Sequence, residues 1–326
     1  MGSTSLPFTW GTKQYASVYA AFLDNAPLEH PARNLNAYVN SFFVPAFLVE
    51  SICNLCGSLE LAHYVVCYIR NLVAGLLVYY GTAGVFHYFC YIHPSTSKVY
   101  EKRQRPTADV IWSQIKLAQA SLFIYTMLPV IDDWLVEQGW TQVYHTVEEI
   151  GGWSRHIFAM IFYFSLVEIG IYWMHRTLHT NKFLYKHVHL LHHQYKTPES
   201  LTPWASIAFH PLDGMLQASP YVGWIFFTPC HYLCHVGLLF FTALWATYIH
   251  DSVRIASAFA GRRLLLLLQM DFNIDPIMGS KYHTVHHTHY VYNYGQVFTF
   301  CDWFWGTLRI PTEPTGFGKQ ILKKLD

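Results

Sequence analysis

The sequence predicts an all-α fold: a polytopic membrane bundle of about four transmembrane helices with a cytosolic, histidine-rich cap. Of its 326 residues, 52% are hydrophobic and only 13% are charged, whereas soluble domains average about 25% charged residues. Histidine is the outlier, since its 20 copies nearly equal the 21 lysines and arginines together. The net charge of +1 gives no support to nucleic-acid binding.

Four apolar stretches predict the spans, since a transmembrane helix needs about 20 mainly apolar residues. Residues 72–91 contain no charged side chain, while residues 117–131 form a short stretch that ends at Asp132. The third stretch, residues 157–174, includes Glu168, and the fourth, residues 221–249, is divided by Pro229. Residues 36–56, interrupted by Pro45 and Glu50, predict an interfacial or weak span.

Basic residues indicate the orientation. The loop after the first clear span carries Lys98, Lys102, Arg103 and Arg105, and clustered basic residues usually mark the cytosolic side of a membrane. The chain ends in KKLD, which resembles a dilysine retrieval signal of the endoplasmic reticulum. We therefore predict a multi-pass protein of the endoplasmic reticulum membrane. Its expected parts are a partly interfacial region (1–70), a membrane domain (71–310) and a cytosolic tail (311–326).

Three histidine clusters carry the chemical signal. Their members are His175 and His179; His189, His192 and His193; and His283, His286 and His287. Spacings of three and four place imidazoles on one helix face, and histidine is the commonest metal ligand. Neighbouring histidines point about 100° apart on a helix, so each adjacent pair can serve two different metals. The clusters predict a dinuclear site in polar segments just outside the spans.

Imidazole suits iron, zinc and copper alike, so the spacing leaves the metal open. A purely structural zinc site usually includes cysteine among four ligands, and these clusters contain none. The seven cysteines are scattered and are expected to be buried or lipid-facing thiols. We expect His187, His231, His235 and His289 to form hydrogen bonds or packing contacts. No nucleotide-binding glycine motif is present, so reducing equivalents must come from another protein.

The three clusters resemble the boxes HxxxH, HxxHH and HxxHH of the fatty acid hydroxylase and sterol desaturase superfamily. Further segments resemble its sterol C-5 desaturase branch, and the plant enzymes in particular. These segments are AFHPLDGMLQASPY (208–221), WATYIHD (245–251) and YNYGQVFTFCDWFWGTLR (292–309). EIGIYWMHRTLH, SLTPWASIAFHP and KYHTVHHTHY also resemble the plant enzymes. The resemblance covers the chain from about Asn71 to Arg309.

The resemblance implies a non-haem centre of two iron ions, with the eight clustered histidines as ligands. His210 and His250 match further family histidines and would be ligands or their supporting groups. Asp213 and Asp251 would orient ligands, although both could instead cap helices. The implied reaction is the O2-dependent dehydrogenation of a Δ7-sterol to a 5,7-diene. The implied electron source is NADH, through cytochrome b5 and its reductase, with sterol and membrane lipid as the other partners.

One stretch departs from the family pattern. Residues 254–272 resemble an insertion between His250 and His283, and they displace a histidine that plant relatives carry four residues after His250. The run 264–268 is too short to span a membrane and could form a surface helix anchored by Arg262 and Arg263. It could also be an unspliced remnant in a predicted coding sequence. We predict that the insertion lowers metal occupancy or activity.

Three alternatives to a desaturase stay open. The first is a sister reaction of the superfamily, such as a sterol 4-methyl oxidase, a lipid hydroxylase or an aldehyde-forming wax enzyme. The second is a scaffold whose catalytic site the insertion has impaired. A histidine-rich metal transporter is the third, and it is disfavoured because its ligands should lie within the spans. Product analysis separates the first alternative, and metal content separates the second.

Overall fold

A computed structural model describes residues 31–93, 105–197, 199–250 and 277–311. Within these ranges the protein is helical, with a single two-residue strand pair. The helices are α1 (Pro31–Phe43), α2 (Ala46–Cys56), α3 (Leu59–His87), α4 (Ala108–Tyr125), α5 (Met127–Glu137), α6 (Trp153–Thr180), α7 (Lys182–Leu184), α8 (Pro211–Trp224), α9 (Tyr232–Ile249), α10 (Ser280–His289) and α11 (Phe300–Phe304). The predicted all-α fold is confirmed.

Four helical segments of the described chain are long and apolar enough to cross a membrane. They are Leu59–Ile92, which is α3 with a π-helical turn at its end, Ala108–Glu137, Trp153–Thr180 and Tyr232–Ile249. The predicted number of spans is therefore confirmed. Helices α1 and α2 could form a fifth, broken span, because they meet at an angle of 119°. Pro45 precedes α2, and a proline disfavours helical geometry in the residue before it.

The first two spans are longer than the apolar stretches predict. Helix α3 begins at Leu59 rather than at residue 72, and its added turns carry His63 and Arg70. The second span continues through Asp132 and Asp133 to Glu137. All five of these polar side chains are buried because they contact one another or other polar groups inside the bundle. A prediction from hydropathy ends a span at such polar residues. A spanning helix can nevertheless include them where they are buried inside the bundle with a polar partner.

The break in the fourth apolar stretch is as predicted, since α8 ends at Trp224 and α9 begins at Tyr232. Between them, Cys230 and His231 (β2) pair in parallel with Val143 and Tyr144 (β1). Helix α8 packs closely on α6 because Gly170 has no side chain. A Cβ atom there would lie 2.7 Å from the Cβ of Pro220. This contact brings the start of α8 beside the end of α6, where His175 and His179 lie.

The expected packing roles of two single histidines are confirmed. His235 contacts Asp132 Oδ2 through Nε2 at 2.7 Å, and its Nδ1 lies 2.7 Å from the hydroxyl of Tyr163. His231 contacts the carbonyl of His145 at 3.0 Å. The predicted insertion at 254–272, Asp251, the C-terminal lysines and most of the basic loop lie outside the described residues.

Candidate metal centre

The first group of histidines gathers side chains from α6, the 185–193 segment and α10. Its members are His175, His179, His189, His193 and His286, and one nitrogen of each lies within 4.8 Å of the others. The Nε2 atoms of His179 and His189 are 2.9 Å apart. Those of His189 and His193 are 3.0 Å apart, and those of His193 and His286 are 3.1 Å apart.

The second group combines residues of the 185–193 segment and of α10 with His250, at the end of α9. Its members are His192, His250, His283 and His287, and all four are buried. The Nε2 atoms of His250 and His192 are 3.2 Å apart, and those of His283 and His250 are 3.1 Å apart. His287 and His283 are one turn apart on α10, with their Nε2 atoms at 3.0 Å.

These distances fit the ligands of a metal ion. Metal–imidazole bonds of about 2.0–2.1 Å place neighbouring ligand nitrogens about 3 Å apart. A hydrogen on one Nε2 can satisfy only one neighbour, whereas His189 Nε2 has two, His179 and His193. His175 Nε2 is buried without a hydrogen-bond partner among the described residues. The donor set of each group therefore suits one ion.

Each adjacent pair of histidines is divided between the groups. His192 belongs to the second group and His193 to the first, while His286 belongs to the first and His287 to the second. Neighbouring side chains on a helix diverge by about 100°, so two short segments supply both groups at once. The two groups lie side by side, and each could hold one ion; the dinuclear site stays a prediction.

In four of the nine grouped histidines, the ring nitrogen that faces away from the group contacts a carbonyl or carboxylate oxygen. His175 Nδ1 lies 2.9 Å from the Tyr294 carbonyl, and His286 Nδ1 lies 2.8 Å from that of Tyr292. His250 Nδ1 lies 2.6 Å from the Ala246 carbonyl. A hydrogen bond donated from Nδ1 leaves the lone pair on Nε2, which faces the group.

Two buried carboxylates hold the loop that supplies the Tyr292 and Tyr294 carbonyls, and the sequence does not reveal this positioning role. Glu168 Oε2 accepts hydrogen bonds from the backbone N–H groups of Val297 and Phe298, at 3.0 and 3.1 Å. Asp302 accepts from the N–H groups of Tyr294 and Gly295, each at 2.8 Å. The sequence signal for Glu168 was its position as the only carboxylate within the third apolar stretch.

Burial keeps three of the grouped histidines, His250, His193 and His287, neutral near pH 7. Burial lowers the pKa of His250 to about 4. Burial and repulsion by neighbouring imidazoles lower the pKa of His193 and His287 well below the ordinary value. Protonation would remove the lone pair that binds a metal, so a lowered pKa keeps the ligands ready.

Acidification is expected to destabilise the metal-free protein. Between about pH 4, the folded pKa of His250, and about pH 6.5, its unfolded value, the unfolded chain binds more protons. The free energy of unfolding therefore falls as the pH drops through this window. Melting temperatures of the metal-free protein across the window measure the effect, and H250Q should show a shallower dependence. A melting temperature independent of pH would contradict it.

Asp213 and His210, both suggested by the resemblance, have different positions. Asp213 Oδ2 lies 2.7 Å from His189 Nδ1 and is fully buried, so it can orient that imidazole. His210 is in neither group. It precedes α8, and its Nδ1 accepts a hydrogen bond from the Leu212 N–H at 3.2 Å, so its ring caps the helix.

Replacing Asp213 with Asn is expected to weaken metal binding at the first group by about 10- to 100-fold, the usual effect of losing a carboxylate behind a metal-bound histidine. The neutral amide cannot stabilise the His189 ring as the carboxylate does. Competition with a calibrated chelator measures the affinity. H210Q, which alters a helix cap nearby, is the control and should leave the affinity unchanged. Equal affinities in D213N and the unmodified protein would refute this role.

A cavity of about 520 Å³ reaches the centre from inside the bundle. His175, His192, His250 and His283 line one end, and Arg70 and Asp133 line the other. Apolar side chains line most of the space between, including Val78, Leu122, Ile171, Leu239 and Phe240. Thr82 contacts Thr247, near His250, and the 12 residues from Arg70 to Thr82 span about 18 Å of helix. The cavity therefore suits a long apolar molecule.

Comparison with known proteins agrees with the resemblance. Residues 160–307 match the fatty acid hydroxylase family. A protein of Arabidopsis thaliana, provisionally named Delta(7)-sterol-C5(6)-desaturase 2, is 38% identical over 77% of this chain and 83% of its own. The Delta(7)-sterol-C5(6)-desaturase of Nicotiana tabacum is 36% identical over 85% of this chain and 93% of its own.

An animal enzyme also matches: lathosterol oxidase of Rattus norvegicus is 32% identical over 78% of each chain. No solved structure shows significant similarity. The matched residues 160–307 include all nine grouped histidines. The chain therefore belongs to the fatty acid hydroxylase and sterol desaturase superfamily, and it resembles the plant Δ7-sterol C5(6)-desaturases.

Proposed function

We propose that this protein is a membrane-bound sterol C-5 desaturase that converts a Δ7-sterol into a 5,7-diene. The observation that carries the proposal is the position of the two histidine groups at one end of a long apolar cavity. The names of the relatives supply the substrate class. The overall reaction removes two hydrogens from the sterol and, with two electrons from a donor, reduces O2 to water.

We propose iron as the metal, with one ion held by each histidine group. When bound, the two ions would supply the redox chemistry that activates O2. His189, held by Asp213, and His175, held by the Tyr294 carbonyl, keep their Nε2 atoms directed at the first group. The cavity walls exclude water and hold the flat substrate with one end at His192 and His250. Positioning of this kind lowers the barrier by orienting the reacting bond.

The electron donor we propose is cytochrome b5, reduced by NADH through its reductase, acting at the endoplasmic reticulum. The histidine end of the bundle would face the cytosol. Exposed Lys182, Lys186 and Lys196 lie at this end, and basic residues beside spans favour the cytosolic side. They also offer a positively charged surface for an electron donor.

The test is the sterol profile, by gas chromatography and mass spectrometry, of yeast lacking sterol C-5 desaturase and expressing this chain. We expect 5,7-diene sterols, and none from a H193A control present at the same level in the membrane. Persistent Δ7-sterols with the protein present would refute the proposal. Hydroxylated or demethylated products would instead establish a sister reaction, and absence of bound metal would favour the scaffold alternative.

A further inference from the structure

A second cluster of metal-ligating side chains lies at the opposite end of the bundle. We call it the basal cluster, and it comprises His63, Cys67 and Glu137. His63 and Cys67 are one turn apart on α3, and Glu137 is the last residue of α5. From His63 to Thr82, beside the histidine centre, the helix rises about 28 Å. The basal cluster is therefore separate from the two histidine groups.

The basal cluster is shielded from solvent. His63 is 1% exposed, Cys67 0% and Glu137 2%. Isolated buried charges are costly, and they normally occur paired or bound to metal. The contacts of Glu137 are polar throughout, because Asn36 Nδ2 donates to Oε1 at 2.8 Å and the Tyr64 hydroxyl donates to Oε2 at 3.1 Å. The site is built around the carboxylate.

One nitrogen faces three possible partners. His63 Nε2 lies 3.0 and 3.1 Å from the two carboxylate oxygens of Glu137 and 3.7 Å from Cys67 Sγ. A hydrogen on Nε2 can point to only one of them, and Nε2 cannot donate to the carboxylate while accepting from the thiol. A cation between these atoms satisfies all of them at once, as in the histidine groups.

The separations agree with tetrahedral zinc. Bonds of about 2.0–2.1 Å to nitrogen and oxygen and about 2.3 Å to sulfur place nitrogen and oxygen about 3.3 Å apart. The same bonds place nitrogen and sulfur about 3.6 Å apart. A set of thiolate, imidazole and carboxylate ligands suits zinc. The charges of the thiolate and the carboxylate would balance that of the ion.

Asn40 on α1 supplies a fourth group. Its side chain is fully buried, and its Nδ2 atom lies 3.5 Å from Cys67 Sγ. Its Oδ1 atom has no hydrogen-bond partner among the described residues. Exchanging the amide oxygen and nitrogen by a half turn would direct Oδ1 into the cluster. A buried amide oxygen without a partner is costly, and a bound cation would remove that cost.

We propose that His63, Cys67 and Glu137, with Asn40 as the fourth ligand, bind a structural zinc ion. The ion ties α1, α3 and α5 together at the end of the bundle remote from the histidine centre. This fixes the base of the cavity, since Asn36 joins Glu137 to Asp133, which lines the cavity. The competing explanation is a metal-free pair of protonated His63 and Glu137. The site is independent of the proposed desaturation.

Cobalt substitution tests the proposal on the full chain purified in detergent. Metal-free protein is titrated with Co²⁺, and a thiolate-to-cobalt charge-transfer band is sought in the near ultraviolet. The histidine groups contain no thiolate, so the band reports only on a cysteine-bound ion. We expect the band in the unmodified protein and in C90S, which alters another buried thiol. We expect C67S to lose the band. C67S should also bind one zinc ion per chain fewer than the unmodified protein.

A second measurement does not depend on a variant that must fold. Zinc should protect Cys67 of the unmodified protein from alkylation in mild denaturant, relative to Cys53 in the same sample. Absence of the band from folded, unmodified protein would overturn the proposal, as would a band that C67S retains. Equal alkylation of Cys67 with and without zinc would also overturn it. None of these readouts uses sterol turnover, so they stay separate from the test of the proposed function.

Discussion

Replacing His286 with Ala is expected to remove one bound metal ion, and replacing the adjacent His287 is expected to remove the other. His286 belongs to the group around His189, whereas His287 belongs to the group around His250. Each variant should therefore retain one of the two ions proposed for the histidine groups. Both should lose at least about 100-fold in sterol turnover, because groups that act as a unit fail together when one is removed.

The measurement is metal content by mass spectrometry on purified protein, combined with turnover in membranes. H289A is the matched control, since His289 is on the same helix α10, is exposed and belongs to neither group. It should keep both ions and most of the activity. Loss of both ions from H286A, with H287A unaffected, would show that the two groups do not bind separately.

Filling the cavity is expected to stop turnover without disturbing the metals. Ala243 is on α9 and lines the space between the histidine end and the polar end. A phenylalanine there would occupy volume that the flat substrate needs. We expect turnover to fall at least about tenfold, which corresponds to about 1.4 kcal/mol of lost transition-state stabilisation. Metal content should stay at the unmodified level, because Ala243 belongs to neither histidine group.

The control is A120F, which adds the same side chain at an exposed position of α4 outside the cavity lining. It should behave like the unmodified protein in both assays. Inhibition in A243F should be weaker for sterols with a shorter side chain, because they need less of the cavity. Full activity of A243F on the usual sterol would mean that the substrate does not enter through this space.

Composition and periodicity were sufficient for the fold class. The four spans were predicted in number, and the break between α8 and α9 was predicted from Pro229. The ends of the first two spans were not predicted. A search for apolar stretches stops at polar residues, and His63, Arg70, Asp132 and Asp133 are polar. Their burial depends on partners about 60 to 100 residues away in the sequence, and no local pattern contains that information.

The histidine spacing predicted that imidazoles meet, and helix geometry explains the divergence of His286 from His287 on α10. His192 and His193 lie in a turn after the 185–189 helical segment, so their divergence depends on the tertiary structure. His250 came from family resemblance, because a single histidine at the end of α9 has no spacing to mark it. The same resemblance suggested His210 as a ligand or supporting residue, and the structure uses it to cap α8. The basal cluster was missed because Glu137 is 70 residues beyond Cys67 in the sequence.

By itself, then, the sequence determined the helical membrane fold, the superfamily and the imidazole chemistry. Those features depend on composition, on short-range periodicity and on motifs whose residues are near one another in the chain. Only the tertiary structure decided the division of nine histidines into five and four, the cavity that reaches them and the meeting of His63, Cys67 and Glu137. Each depends on which helix faces pack together, and packing is fixed by long-range contacts.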